Sequence, residues 1–475
     1  MNKEIRIRRI QEIINRDINK PHGIMEITWQ DSLKSMNVYK VPLEYLVYNK
    51  YNTRILSRTK SLEKQKHNID VESKEGKKEI EDLLYQSNEI RNKITSQDIN
   101  KKGQRNYGII TKDGIIIDGN RRVMILNRGN QFTYFKTVIL DVTLDEDPLE
   151  IKKLETTYQM GEDEKLGYNA TEKYLSAQDL YYRLAQKRYS SNPKKHDIDV
   201  KAIKKIADWM SENPPEIIKY LNIMEVMDDY LEYFEYDGYY TQLDKREDLF
   251  IFLTKWLNNY YDKESDKGFD GYRNGDVDEL KNISFDYIRA RYEGKEFRVI
   301  ADGQKENHFF GDKDVWKSFV KNHNANMKNI QESKIDINSK NLNKHLDDRD
   351  ARFEENTKFG EDKSFLEENI YTHKEMLHIN RATIKPNQLV DRSFDAINKI
   401  KTGHKSLTPD VMKKIVEISN VAISILHKSP SSILSNAIRL LEEIKINRIP
   451  DSEMQDVKDK LKEIQKLGYN ISKSL

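Results

Sequence analysis

The chain of 475 residues has no cysteine, which removes disulfide frameworks, thiolate zinc sites and cysteine nucleophiles together. It also lacks any run of about twenty apolar residues, so no transmembrane helix is expected and no membrane partner follows. The first twenty residues, MNKEIRIRRIQEIINRDINK, have no apolar stretch long enough for a signal peptide, and the reading is a cytoplasmic protein. His373 and His378 are five apart and have neither the spacing nor the glutamate of a zinc-binding helix.

Hydrophobic residues make up 37% of the chain and charged residues 34%, which is polar for a globular protein. Yet 15 Phe, 26 Tyr and regular apolar periodicity argue for packed cores and against wholesale disorder. The length suits two to four domains. The net charge of +2 conceals an asymmetry: residues 1–130 carry 26 Lys and Arg against 17 Asp and Glu, whereas residues 225–280 carry 6 against 16. A basic N-terminal third fits a phosphate-bearing partner, and the acidic middle is repelled by DNA.

The most informative stretch is Gly108 to Asn130, GIITKDGIIIDGNRRVMILNRGN. Ile115 to Ile117 predict a strand, Asp118-Gly119-Asn120 a turn, and the spacing of Val123, Met124 and Leu126 a helix starting with Arg121 and Arg122. The first amides of a helix are unpaired and sit at the positive end of its dipole, so an anion is stabilised there. Two arginines add donors shaped for phosphate oxygens, and a glycine lets the anion approach the backbone. The same residues also make an ordinary turn in which Asp118 caps the helix and the arginines are solvated; spacing alone does not choose.

IIIDGNRRVMILNRG resembles the arginine-rich box of the ParB/sulfiredoxin superfamily, in which a strand ends in such a turn and the arginines meet nucleotide phosphates. Val41 to Arg54, VPLEYLVYNKYNTR, is similar to the segment that opens ParB N-terminal domains, and Thr137 to Leu144, TVILDVTL, to the strand after the box. Glu155 to Gln159, ETTYQ, falls where that family has a glutamate-asparagine box that helps hold a metal and the triphosphate. The order of parts matches over about a third of the chain. There are departures: Tyr107 stands where the family has proline, Thr156 and Met160 where it has asparagine and arginine, and a charged insertion, Ser57 to Ser96, interrupts the fold. Sulfiredoxin chemistry itself is excluded, because Asn120 occupies the place of its cysteine.

The resemblance implies an α+β protein, with a small ParB/sulfiredoxin-like α/β domain at the N-terminus followed by mostly α-helical domains. Nucleotide contacts would come from Arg54, Asp118, Gly119, Asn120, Arg121 and Arg122, with Asn120 reading sugar or phosphate. Glu155 would position Mg²⁺ beside ATP or CTP. Glu162, Asp163 and Glu164 are further carboxylates, read as a solvated helix start. Gly76-Lys77-Lys78 lacks the preceding glycine and following Ser or Thr of a phosphate loop.

The organisation expected is residues 1–150 as the nucleotide-binding domain with its insertion at 57–96, then 151–240, 241–320 and 351–475. Within 151–240, Lys201 to Phe234 predict two helices broken at Asn213-Pro214-Pro215, the layout of a helix-turn-helix, with Lys219 and Tyr220 as the obvious donors on the second helix. Tyr230 to Tyr261, dense in aromatics and acids, is read as packing or an interface, residues 241–320 as a mixed aromatic-rich module, Lys321 to Asp350 as a linker, and residues 351–475 as a helical bundle or oligomerisation cap. The function this suggests is a DNA-associated protein that binds a nucleoside triphosphate, with or without hydrolysing it, in phage defence or DNA segregation. It would be a homo-oligomer with room for a protein partner. Two alternatives stand: a metal-dependent nuclease, or a non-catalytic scaffold with a vestigial pocket.

Overall fold

Neighbouring isoleucines at 109 and 110, and again at 116 and 117, go to opposite sides of one sheet, because side chains alternate along a strand. That alternation organises the N-terminal third of the structure, a computed structural model describing residues 1–66, 68–129, 131–161, 169–191, 197–292, 294–330, 332–336, 342–359, 363–384, 386–401, 407–426 and 430–474. Helix α1 (Lys3–Asp17) leads into a hairpin of β1 (Ile24–Trp29) and β2 (Ser32–Asn37), then β3 (Tyr39–Pro42). Next come α2 (Leu56–Lys66), α3 (Lys74–Ser87) and α4 (Glu89–Lys102). The unit continues with β4 (Gly108–Ile110), β5 (Ile116–Asp118), α5 (Asn120–Gly129), β6 (Tyr134–Ile139) and α6 (Pro148–Thr156). The sheet order is β3-β6-β4-β5; β4 and β6 run parallel and the other pairs antiparallel.

One face of the sheet packs Ile110, Ile116, Phe135 and Ile139 under α1, α3, α4 and α5, through Ile10, Ile80, Ile99, Val123 and Leu126. The other packs Ile109, Ile117 and Val138 under the hairpin and α6, through Ile27, Trp29, Ile151 and Leu154. The charged insertion is therefore largely helical: α2, α3 and most of α4 form within it, and the apolar stripe of α3 closes the first face. Strand β3 takes in only the first two residues of the opening segment Val41 to Arg54, and the strand after the box begins earlier than Thr137, at Tyr134. Helix α1 is docked by Ile10 and Ile13, and Arg6 on it is buried and paired with Glu72 at 2.7 Å.

Beyond the sheet the chain is helical, so the architecture is α+β with a small N-terminal sheet followed by helices. Helices α7 (Ala170–Ala185), α8 (Val200–Met210), α9 (Pro214–Tyr233), α10 (Glu247–Tyr260), α11 (Asn274–Arg289), α12 (Gly294–Phe297), α13 (Lys313–Met327), α14 (Leu342–Asn356) and α15 (Phe365–Ile384) share one apolar core. Of the tyrosines of residues 230–261, Tyr230, Tyr236, Tyr239 and Tyr260 are buried in it, whereas Tyr233 is exposed. The expected linker at 321–350 is corrected. Much of it is the end of α13 and the start of α14, where Leu342 and Leu346 are buried and Asp350 accepts from Arg289 at 2.8 Å and Tyr236 at 2.7 Å, with Arg246 closing on it as well. Paired charges are tolerated inside when their hydrogen bonds are met, which composition does not reveal.

The chain divides into two compact units, Met1–Ile384 and Lys385–Leu475. The second holds α16 (Pro386–Asn398), α17 (Pro409–Leu426), α18 (Pro430–Glu442) and α19 (Met454–Ser474). Among the described residues, no helix is long and apolar enough to cross a membrane.

Candidate phosphate-binding site

The corner predicted from Asp118-Gly119-Asn120 forms where β5 ends and α5 begins, with Val123 N donating to the Gly119 carbonyl at 2.9 Å. Gly119 has φ +109°, and a Cβ there would lie 2.5 Å from the Phe135 ring. Glycine is thus required by the backbone and by the aromatic ring beneath it, not only by access for a ligand.

A cavity of about 480 Å³ opens on this corner. All six nucleotide-contact residues expected from the sequence line it: Arg54, Asp118, Gly119, Asn120, Arg121 and Arg122. They differ in what they do. Arg122 donates to Asp118 Oδ2 at 2.5 Å and to the carbonyls of Asn106 at 2.6 Å and Tyr107 at 2.9 Å, so it braces the corner. Asn120 is buried; its Oδ1 accepts from Asn49 N and its Nδ2 donates to the Ile116 carbonyl, both at 3.0 Å. Both polar atoms clamp the opening segment to the end of β5, which holds Asn120 in the cavity wall. Asp118 bonds the Arg122 side chain. Arg54 and Arg121 are the expected residues whose guanidinium groups extend the cationic lining.

The sequence reading missed Arg105, Tyr107 and Tyr158 as lining residues. Arg105 sits in the loop after α4, in the stretch compared with the family's proline-containing segment, and its exposure beside that loop was the available signal. Tyr158 and Gln159 lie on a π-helical turn, Thr157–Gly161, that continues α6. Such turns carry one extra residue and re-aim the side chains they hold. Here Gln159 donates to the Ile117 carbonyl at 3.1 Å and accepts from the Thr53 hydroxyl.

Glu155 does not line the cavity. It is buried, 3.0 Å from Lys152 Nζ, and its other oxygen accepts from Thr53 N at 3.3 Å and Asn52 Nδ2 at 3.4 Å. Burial pushes its carboxyl above the usual range, against the pull of Lys152 and the Thr53 amide. The expected use of Glu155 as a Mg²⁺ ligand does not fit this arrangement, since both oxygens face donors and the opposing charge is already an ammonium. Among the described residues, no group of three or more His, Asp or Glu side chains converges to hold a metal. Glu162, Asp163 and Glu164 lie outside the described residues.

The helical pair α8 and α9 has the expected break, with Ser211 in the left-handed region and Asn213 capping α9. Its donors differ from expectation: Tyr220 is buried and bonds Glu212 at 2.8 Å, and Lys219 pairs with Glu216 at 2.7 Å.

No family model and no curated protein matches the chain. A solved Pnob8-like ParB-N domain, in its C2221 form, is similar to it. The match covers 61% of this chain and 97% of that one, at 12% identity and a TM-score of 0.36. The likeness is a loose one of fold.

Proposed function

We propose that this protein binds the polyphosphate of a nucleoside triphosphate, ATP or CTP, at the Asp118–Arg122 corner, and that it associates with DNA. The observation that carries the reading is the charge of one concave site: Arg54, Arg105, Arg121 and Arg122 line it, and the carboxylate among its described lining residues, Asp118, is held by Arg122. Guanidinium groups and the N-terminus of α5 together favour a multiply charged anion. Tyr107, Tyr158 and Met25 supply apolar surface on which a sugar or base can rest. Mg²⁺ would enter on the phosphates, since no described residue is assigned to hold it. Turnover at such a site proceeds by positioning and charge stabilisation with no covalent enzyme intermediate.

The DNA partner is supported by the lysines of the first unit: Lys74, Lys77 and Lys78 line a shallow cavity of about 610 Å³ together with Glu81 and the Arg128–Asp82 pair. Phage defence or DNA segregation is the setting that the sequence resemblance suggests. A nuclease would need clustered carboxylates and a metal, and the described residues offer no such cluster.

The test is calorimetric titration of the full chain with ATP, CTP, GTP and UTP. Saturable binding by the wild type, lost in Arg121→Ala, supports the proposal. No binding by the wild type overturns it in favour of a scaffold with a vestigial pocket.

A further inference from the structure

Behind the cavity wall sits a buried ion pair whose remaining hydrogen bonds all converge on one short segment. Lys152 and Glu155, one turn apart on α6, are 7% and 2% exposed at their side chains. Taking two charges out of water is costly unless their other donors and acceptors are met. Lys152 Nζ donates to the Tyr51 carbonyl at 3.3 Å, and Glu155 accepts from Asn52 and Thr53. Gln159 adds the Thr53 hydroxyl on one side and the Ile117 carbonyl on the other. Tyr51, Asn52 and Thr53 are the three residues before Arg54, and Ile117 is the residue before Asp118.

We infer that Lys152 and Glu155 are positioning residues that act through Arg54. With Gln159 they fix the Tyr51–Thr53 segment against the end of β5, so that Arg54 and Arg121 face the same anion from two different elements. Glu155 is then a brace and not a metal ligand. This inference rests on the phosphate-binding reading above.

The test uses the full chain and inorganic tripolyphosphate, with affinity measured by calorimetry in EDTA and again in Mg²⁺, for wild type, Glu155→Gln, Arg54→Ala and the double variant. Glu155→Gln is expected to weaken binding about tenfold in both buffers, and the double variant to bind no more weakly than Arg54→Ala alone. Non-additivity of that kind reports action through Arg54, which a general loss of stability does not produce. Should Glu155→Gln fail to fold, Lys152→Gln with Glu155→Gln removes both charges together and must show the same non-additivity. A loss confined to Mg²⁺ buffer, a loss that adds fully to that of Arg54→Ala, or no loss at all overturns the inference while leaving the phosphate site standing. Absence of tripolyphosphate binding by the wild type overturns both.

Discussion

Arg122 reaches back one turn to Asp118, with Nη2 and Oδ2 2.5 Å apart, and so braces the corner that carries both arginines. Arg122 also ties down two backbone carbonyls while lining the cavity beside Arg121. Arg122→Ala is expected to cost about 2 kcal/mol of stability, from loss of a half-buried pair and its charged hydrogen bonds. Urea unfolding of the variant checks this, and an Arg122→Ala protein as stable as the wild type would show that the brace described is absent.

Gly119→Ala places a methyl group against Phe135 at a backbone angle that side chains rarely adopt. Strain and overpacking together are expected to remove about 2–4 kcal/mol. Phe135→Leu in the same chain should recover part of that loss, and a Gly119→Ala protein melting with the wild type would contradict the packing described.

Glu172 on α7 accepts from Ser57 N at 3.0 Å and Ser57 Oγ at 2.6 Å, holding the start of α2 to the helical core. Burial pushes its carboxyl up to about 7, outweighing those bonds and Arg58. An unfolded glutamate has released its proton by then, so the folded state binds more protons between about 4.5 and 7. Stability attributable to Glu172 therefore falls as pH climbs through that window and levels off above it, by about 3 kcal/mol in all. Glu172→Gln keeps an acceptor for the Ser57 amide and removes the titration. The wild-type melting temperature should drop relative to the variant between pH 5 and pH 8; parallel curves would refute the assignment.

In the second unit, Phe394 on α16 is 67% exposed and Ile438 on α18 58%, on helices whose apolar residues recur at helical spacing. Exposed apolar stripes of this extent mark association surfaces. Light scattering is expected to give the full chain a mass that is a multiple of 56.2 kDa and to give residues 1–384 a monomer mass. A monomeric full chain would remove the case for a homo-oligomer.

The strand, turn and helix of residues 115–129 were legible because three local signals agree there: β-branched residues, an Asp-Gly turn and helical spacing. The gathering of Arg54 with Arg121 followed only from resemblance, because residues so far apart in the chain meet through tertiary packing. What each polar side chain does was not legible. Lys152 and Glu155 have the spacing of an ordinary solvated pair on a helix, and nothing in the sequence marks them as buried. Residues 321–350 likewise read as a linker, because burial by mutual pairing, here of Asp350 with Arg289, leaves no apolar pattern.

Strand β5 lies at the margin of its sheet, paired along one side with β4 and touching Val47 on the other through Ile115. Two of its carbonyls are met by side chains, Ile116 by Asn120 and Ile117 by Gln159. Asn120 and Gln159 are both buried, so a substitution at either amide leaves a backbone carbonyl without its donor and loosens the mouth of the cavity together with the strand end that carries it. The wall of the cavity is thus also a seam of the fold, and what is bound there cannot be altered at these two positions without cost to what is folded.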